Sequence, residues 1–252
     1  MLIRKIKNYI RKKAWESLKA KWKLRSGIEI AIENDSDWFV FNEIFANKEY
    51  DKAFEIFLPF AGESPLILDL GANVGYFTLR VADELEQAGK HNYKILALEA
   101  HPDNFKALSA RLNQRALAGK AEPFFGLAGH RSGSRELISS GQHYGHSAVA
   151  VESVKKKKVL DYVDIDVLVG DPNRRIDLLK CDIEGSEEIF ISTYPGLLSR
   201  CAFAVFEFHA GECDVTRCRL LLSQAGLISM GIVKEDPRYK TCVEVFRRQK
   251  SN

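Results

Sequence analysis

Apolar positions recur every three or four residues at the start of the chain, at Ile3, Ile6, Ile10, Ala14, Leu18 and Trp22. This spacing predicts a helix with one apolar stripe and cations on its other faces. From Ile28 the pattern changes. A strand-like run, Ile28 to Ile32, leads into the turn formers Asn34, Asp35, Ser36 and Asp37, and Phe41, Ile44, Phe45, Tyr50, Phe54 and Phe57 then fall at helical spacing until Pro59 and Gly62. After Pro65, continuous apolar runs alternate with amphipathic stretches. Leu66 to Leu70, Tyr93 to Leu98, Phe124 to Ala128, Ile176 to Cys181 and Phe203 to Phe208 read as buried strands. Val74, Phe77, Val81 and Leu85 lie at helical spacing up to Gly89, as do Phe105, Leu108 and Leu112 after Pro102, and a short helix spans Ser186 to Ser192 before Pro195.

The polar, glycine-containing stretch from Gly129 to Ser147 predicts a hairpin or loop, and Lys155 to Lys158 a solvated turn before a strand around Val159 to Leu168. A last helix carries Val215, Cys218, Leu221 and Leu222 with Gly226 as its cap, and a hairpin follows, Leu227 to Val233 and Thr241 to Phe246, turning at Asp236 and Pro237. Strands alternating with amphipathic helices imply a doubly wound α/β fold around a mainly parallel sheet with right-handed crossovers. The expected division is a basic amphipathic helix over 1–27, a cap or lead-in region over 28–62 and the main domain over 63–252.

Composition narrows the function classes. With 252 residues, 46% of them hydrophobic, the chain is long enough for one large α/β domain. Cys181, Cys201, Cys213, Cys218 and Cys242 form neither a CxxC pair nor a zinc-ligand spacing, which points to a reducing, cytoplasmic setting. No apolar run suits a bilayer span or a secretory signal. Residues 1–25 carry ten Lys and Arg against the single acid Glu16, leaving 27 basic against 33 acidic residues in the rest. Such an arm suits peripheral contact with an anionic membrane, with packing on the body as the alternative. No basic and aromatic pattern continues into the body, so nucleic acid is not an expected partner.

The strongest chemical signal is Asp69-Leu70-Gly71-Ala72-Asn73-Val74-Gly75, which follows a buried strand and opens a helix. In a doubly wound sheet this turn borders the crevice where strand order reverses, its glycines let backbone and ligand approach, and helix N-terminal amides suit a carboxylate. Asp69 either touches the ligand or fixes the turn by accepting backbone N–H bonds. Glu99, ending the next strand, is placed to accept hydrogen bonds from two ribose hydroxyls. Gly71 and Gly75 stand four apart rather than in the G-x-G-x-x-G spacing of a pyrophosphate site, and no Lys-Ser or Lys-Thr follows as in a P-loop. The ligand is therefore a nucleoside without a pyrophosphate.

Leu66 to Phe77 and Asp177-Leu178-Leu179-Lys180-Cys181-Asp182-Ile183-Glu184-Gly185-Ser186-Glu187 resemble the two signature stretches of the FkbM family of methyltransferases. Asn47 to Tyr50 resembles the family's lead-in, Ala97 to Pro102 its second-strand motif and Val205 to His209 its fifth-strand motif, so the similarity runs from about Ile28 to Phe246. The segment Gln142 to Ser147 departs from the family's Gly- and Ser-rich loop, and the third strand ends Leu127-Ala128-Gly129 without an acidic residue for the adenine.

The resemblance implies a Rossmann-like, seven-stranded sheet and S-adenosylmethionine as cofactor, bound at Asp69, Gly71, Asn73, Gly75 and Glu99. It also implies methyl transfer to a hydroxyl of a sugar, glycan or secondary metabolite. A non-catalytic cofactor-binding or scaffold module on the same fold is the alternative. An alcohol needs a base, and Asp182, Glu184, Glu207 and His209 lie at strand ends, the last two on one side of their strand. His209 is the favoured base because a free imidazole titrates near neutrality. The competing reading has Glu184-Gly185 shaping the turn and His209 bonded to a neighbour. A divalent ion on these four residues is chemically admissible, but the spacing selects none and no metal ligands are assigned. His143 and His146 belong to a surface loop that, placed over the crevice, would touch substrate.

Overall fold

The computed structural model describes residues 20–139 and 156–249, with Lys13, Trp15 and Ser17 before them. His143, His146 and most of the expected N-terminal helix lie outside the described residues. Trp22, assigned to that helix by its spacing, lies instead in strand β1 (Ala20–Lys23), which pairs antiparallel with β2 (Glu29–Ile32). Its ring stacks on Phe41 with centroids 5.3 Å apart. The turn formers that follow open a helix, α1 (Asp35–Phe41), because the Asn34 side chain accepts the Asp37 N–H and caps it. The helical pattern up to Phe57 is broken into this helix, a π-helical turn (Asn42–Ala46) and α2 (Asp51–Phe57), with Lys48 at φ +57° between the last two.

The main sheet contains β3 (Leu66–Leu70), β4 (Lys94–Glu99), β5 (Ala121–Phe125), β8 (Ile176–Cys181), β9 (Cys201–His209), β10 (Leu227–Asp236) and β11 (Thr241–Arg248). Its order is β10-β11-β9-β8-β3-β4-β5, and only the pairs involving β11 are antiparallel. The chain builds outward from β3 to β5 and returns to the opposite side of β3 at β8. The switch point of this doubly wound, Rossmann-like sheet therefore lies between β3 and β8.

Four expectations shift locally. The third strand lies earlier than Phe124 to Ala128, because Gly126, at φ +150° and closely packed against Val163, ends it. Gly129 to Ser147 includes β6 (Ser134–Ser139), and the expected lysine turn is β7 (Lys156–Asp161), the antiparallel partner of β6. The strand expected to run to Leu168 stops at Asp161, since Asp164 caps a new helix, α5 (Ile165–Val169).

Strand alternation separates two cores. On one face Ile67, Ile95, Leu178, Val205 and Val245 pack with α2 and α3 (Tyr76–Gln87), and α4 (Pro102–Leu112) adds Leu108 and Leu112. On the other, Leu68, Leu98, Leu179, Phe206 and Phe246 pack with α6 (Glu187–Thr193), α7 (Pro195–Leu198) and α8 (Val215–Gln224). No helix among the described residues is long and apolar enough to cross a membrane.

The cap strand is fastened to the helices around the site. Tyr76 donates its hydroxyl proton to the Ala31 carbonyl at 2.9 Å, and Arg111, 5.0 Å from the Tyr76 ring centroid, pairs with Asp37 at 2.5 Å. Both members of the ion pair are nearly buried, so removing one leaves an uncompensated charge. Asp37→Ala is expected to lower stability by about 3–5 kcal/mol in urea unfolding. Lys52→Ala, which breaks an exposed pair with Glu55, should stay within about 1 kcal/mol of wild type.

Candidate active site

The turn after β3 is compressed against the rest of the protein. Gly71 has φ +75°, and a Cβ there would stand 1.7 Å from the Asp182 carbonyl oxygen, so glycine lets the end of β8 lie against the turn. At Gly75, with φ +95°, a Cβ would meet Leu108 Cδ1 at 2.8 Å, so this glycine seats α3 on α4. Most of the turn's amides bond to the end of β4. Gly71 and Ala72 N–H both donate to the Leu98 carbonyl at 2.9 Å, and Gly75 N–H donates to that of Ala72 at 2.9 Å.

Asn73 N–H donates to Glu99 Oε2 at 2.8 Å, and His101 N–H to Glu99 Oε1 at 2.7 Å. Burial raises the Glu99 pKa while these amide bonds oppose the rise. Together they fix the carboxylate at the end of β4, facing a cavity of about 340 Å³. Gly71, Asn73 and Glu99 line that cavity beside the apolar Leu98, Leu127, Ala128 and Ile183, and Asp182 and Glu184 border it from the β8 side. Arg135, from β6, also reaches the cavity and donates to Ser186 Oγ at 3.2 Å.

Asp69 and Gly75 do not line this cavity. The Asp69 side chain is fully buried, accepts from Thr78 Oγ1 at 2.6 Å and lies 3.6 Å from Lys180 Nζ. Neither expected role, ligand contact or acceptance of backbone N–H bonds, matches these partners. Lys180 is the residue that sequence reasoning missed. Its Nζ donates to the Gly71 carbonyl at 2.7 Å and lies 3.2 Å from Asp182 Oδ2. Burial works against its charge, but the carboxylates of Asp182 and Asp69 outweigh burial and hold its pKa above the usual lysine value. The one available signal was a lysine in the otherwise apolar second half of a buried strand.

The carboxyl ends of β8 and β9 bring Asp182, Glu184 and His209 together, with one potential ligand atom from each lying within 4.8 Å of the others. His209 Nε2 stands 3.3 Å from Glu184 Oε2, and Nδ1 stands 3.0 Å from Glu187 Oε1. Glu187 Oε1 also accepts the N–H groups of Ile183 and Gly185, which shapes the turn after β8. Burial disfavours a charged imidazole here, but the bonds to Glu184 and Glu187 dominate and push the His209 pKa up to about 11. An imidazolium donating from both nitrogens has no lone pair for a substrate proton. The base role expected for His209 therefore does not fit this geometry, and neither His209 nor Glu207 lines the cavity.

Glu207 is held above the usual carboxylate range by burial and by the neighbouring charges of Asp182 and Glu49. Glu49 bonds Lys234 at 2.8 Å, which also reaches Glu43 at 3.1 Å and ties β10 to the cap. The carboxyl ends of β8 and β9 are thus crowded with carboxylates.

Residues 69–226 match the methyltransferase FkbM domain. The chain belongs to the FkbM family of methyltransferases. It is 31% identical over 189 residues to the methyltransferase sdnD of Sordaria araneosa, covering 62% of this chain and 68% of that protein. Among solved structures it is similar to the methyltransferase FkbM of Methylobacillus flagellatus, at 18% identity and a TM-score of 0.48, covering 73% of this chain and 44% of that one. It is also similar to the fibrillarin pre-rRNA processing protein of Methanococcus jannaschii, at 16% identity and a TM-score of 0.43, covering 75% and 68%.

The cofactor of this FkbM methyltransferase is S-adenosylmethionine. The cavity suits its nucleoside, with a fixed carboxylate at the end of β4 and an apolar wall from Leu98, Leu127 and Ala128. Because Lys180 compensates two carboxylates away from water, Lys180→Met is expected to cost about 3–5 kcal/mol. Urea unfolding measures this, and a change below about 1 kcal/mol would show that the ammonium is not needed to join the strand ends.

Proposed function

We propose that this methyltransferase transfers the methyl group of S-adenosylmethionine to a hydroxyl oxygen of a small sugar, glycan or secondary metabolite. The reading rests on one cavity that carries Glu99 on its β4 side and Asp182 and Glu184 on its β8 side. Each Glu99 oxygen accepts one backbone amide and keeps a lone pair for a ribose hydroxyl. Gly71 and Asn73 form the adjoining wall, and Asp69 and Gly75 support the turn from behind. When bound, the cofactor supplies an electrophilic methyl group on sulfur, so the chain's task is alignment and the exclusion of water.

Carboxylates accept hydrogen bonds and cannot donate them, so Asp182 and Glu184 suit an acceptor rich in hydroxyl protons. They orient the hydroxyl and give its proton a carboxylate to move to, with Glu207 behind them. The same charges repel a phosphodiester backbone, which disfavours nucleic acid. The ten basic residues among the first 25 suit peripheral contact with an anionic membrane surface, and the free cysteines suit a reducing cytoplasm.

Calorimetry with S-adenosylmethionine is expected to show saturable binding that Glu99→Ala weakens at least about 10-fold, equivalent to about 1.4 kcal/mol. Unchanged affinity would remove Glu99 from the cofactor site. With a hydroxylated acceptor found by screening, Asp182→Asn should lower kcat by about 10²–10⁴ while the cofactor Kd shifts only a few-fold. Equal loss of both would contradict the acceptor-side role, and methylation confined to amines would refute the hydroxyl assignment.

A further inference from the structure

We infer that Asp182, Glu184 and His209 form a binding site for a divalent first-row transition-metal ion at the rim of the cofactor cavity. Metal–ligand distances are about 2.0–2.4 Å, so two atoms on one ion stand at most about 4.8 Å apart. An oxygen of each carboxylate and a ring nitrogen of His209 already meet that limit. The residues come from the carboxyl ends of neighbouring strands, β8 and β9, and converge without any rearrangement of the sheet.

A second, independent feature is the support behind the imidazole. Glu187 is 0% exposed and its Oε1 holds His209 Nδ1 at 3.0 Å, which turns Nε2 toward Glu184. A buried carboxylate that orients a ligating imidazole through its second nitrogen is a recurrent outer support of metal sites. The other oxygen, Oε2, is buried without a hydrogen-bond partner among the described residues. A divalent ion would stand between His209 Nε2 and Glu184, which face each other at 3.3 Å, in place of their direct contact.

One nitrogen and two oxygen ligands suit Mn²⁺ or a similar transition ion better than Mg²⁺, which prefers an all-oxygen shell and retains its water. Three protein ligands leave coordination positions open, and Asp182 and Glu184 both face the cavity. Oxygens of a hydroxylated acceptor would occupy those positions. This extension to the acceptor rests on the proposed function, whereas the ion site itself does not.

The test is a titration of the full-length chain with MnCl₂, without cofactor or acceptor, following the free-ion signal by electron paramagnetic resonance. One ion per chain is expected to leave solution. Glu184→Gln and His209→Gln should each weaken binding at least 10-fold, and Glu187→Gln about 10–100-fold through the support of the imidazole. Thermal melting verifies the fold of each variant, and the half-exposed Glu184 provides a substitution that leaves the core untouched. No depletion of the free-ion signal by wild type, or wild-type affinity in folded Glu184→Gln, overturns the site. Because methyl transfer is not measured, failure here would leave the hydroxyl assignment standing, and failure of that assignment would leave the ion titration unaffected.

Discussion

The ammonium of Lys180 sits where the sheet reverses direction, between Asp69 on β3 and Asp182 just beyond β8, and donates to the carbonyl of Gly71. A charge this deeply buried is tolerable only with opposite charges and a hydrogen-bond acceptor around it. The requirement runs both ways, since Asp69 is fully buried and would be equally costly alone. Hydrophobic packing brings β3 and β8 side by side, and this ion cluster links their ends, where Leu70 still pairs with Cys181 and the Asp182 N–H donates to the Leu70 carbonyl at 3.1 Å. Its position beneath Gly71 also explains the close approach of the Asp182 carbonyl to that glycine. The turn after β3 and the β8 side of the cavity rim thus meet at one buried charge arrangement.

From that point the cavity divides by chemistry. On the β4 side, backbone amides hold Glu99 in place, so its position is set by main chain and depends little on side-chain motion. On the β8 side, Asp182 and Glu184 are held by side chains, Lys180 and His209. The two sides of the cavity are therefore held by different means, main chain at β4 and side chains at β8. Tyr76 and Arg111 join the cap to this frame, so the lead-in region is anchored through the same helices that carry the turn.

Much of this architecture was legible because buried parallel strands write themselves as apolar runs. Leu66–Leu70 and Ile176–Cys181 were readable to the residue, and the order of strands and helices implied the doubly wound sheet. The glycine turn and Glu99 were visible as chemistry at strand ends. Lys180 was not, because a periodicity scan treats an isolated lysine in an apolar strand as an exception, and its partner Asp69 is remote in sequence. Local conformation was also hidden where side chains decide it: Asn34 converts a turn signal into a helix cap, and close packing at Gly126 shortens β5. Pattern identifies which segments are buried, but not which polar groups they enclose.

His209 shows why residue type alone misleads at such a site. Its reference pKa near neutrality argued for a base, yet the ring lies between Glu184 and Glu187, and both carboxylates favour the charged form. The neighbours that hold its proton in place are separated from it in sequence and meet it only because β8 and β9 are adjacent. Between Glu184 and Glu187 the imidazole is held in its charged form. So held, the imidazole orients its neighbours and has no free lone pair. On the β8 side, Asp182 and Glu184 line the cavity where His209 does not, so the arrangement leaves these carboxylates, and not the imidazole, facing it.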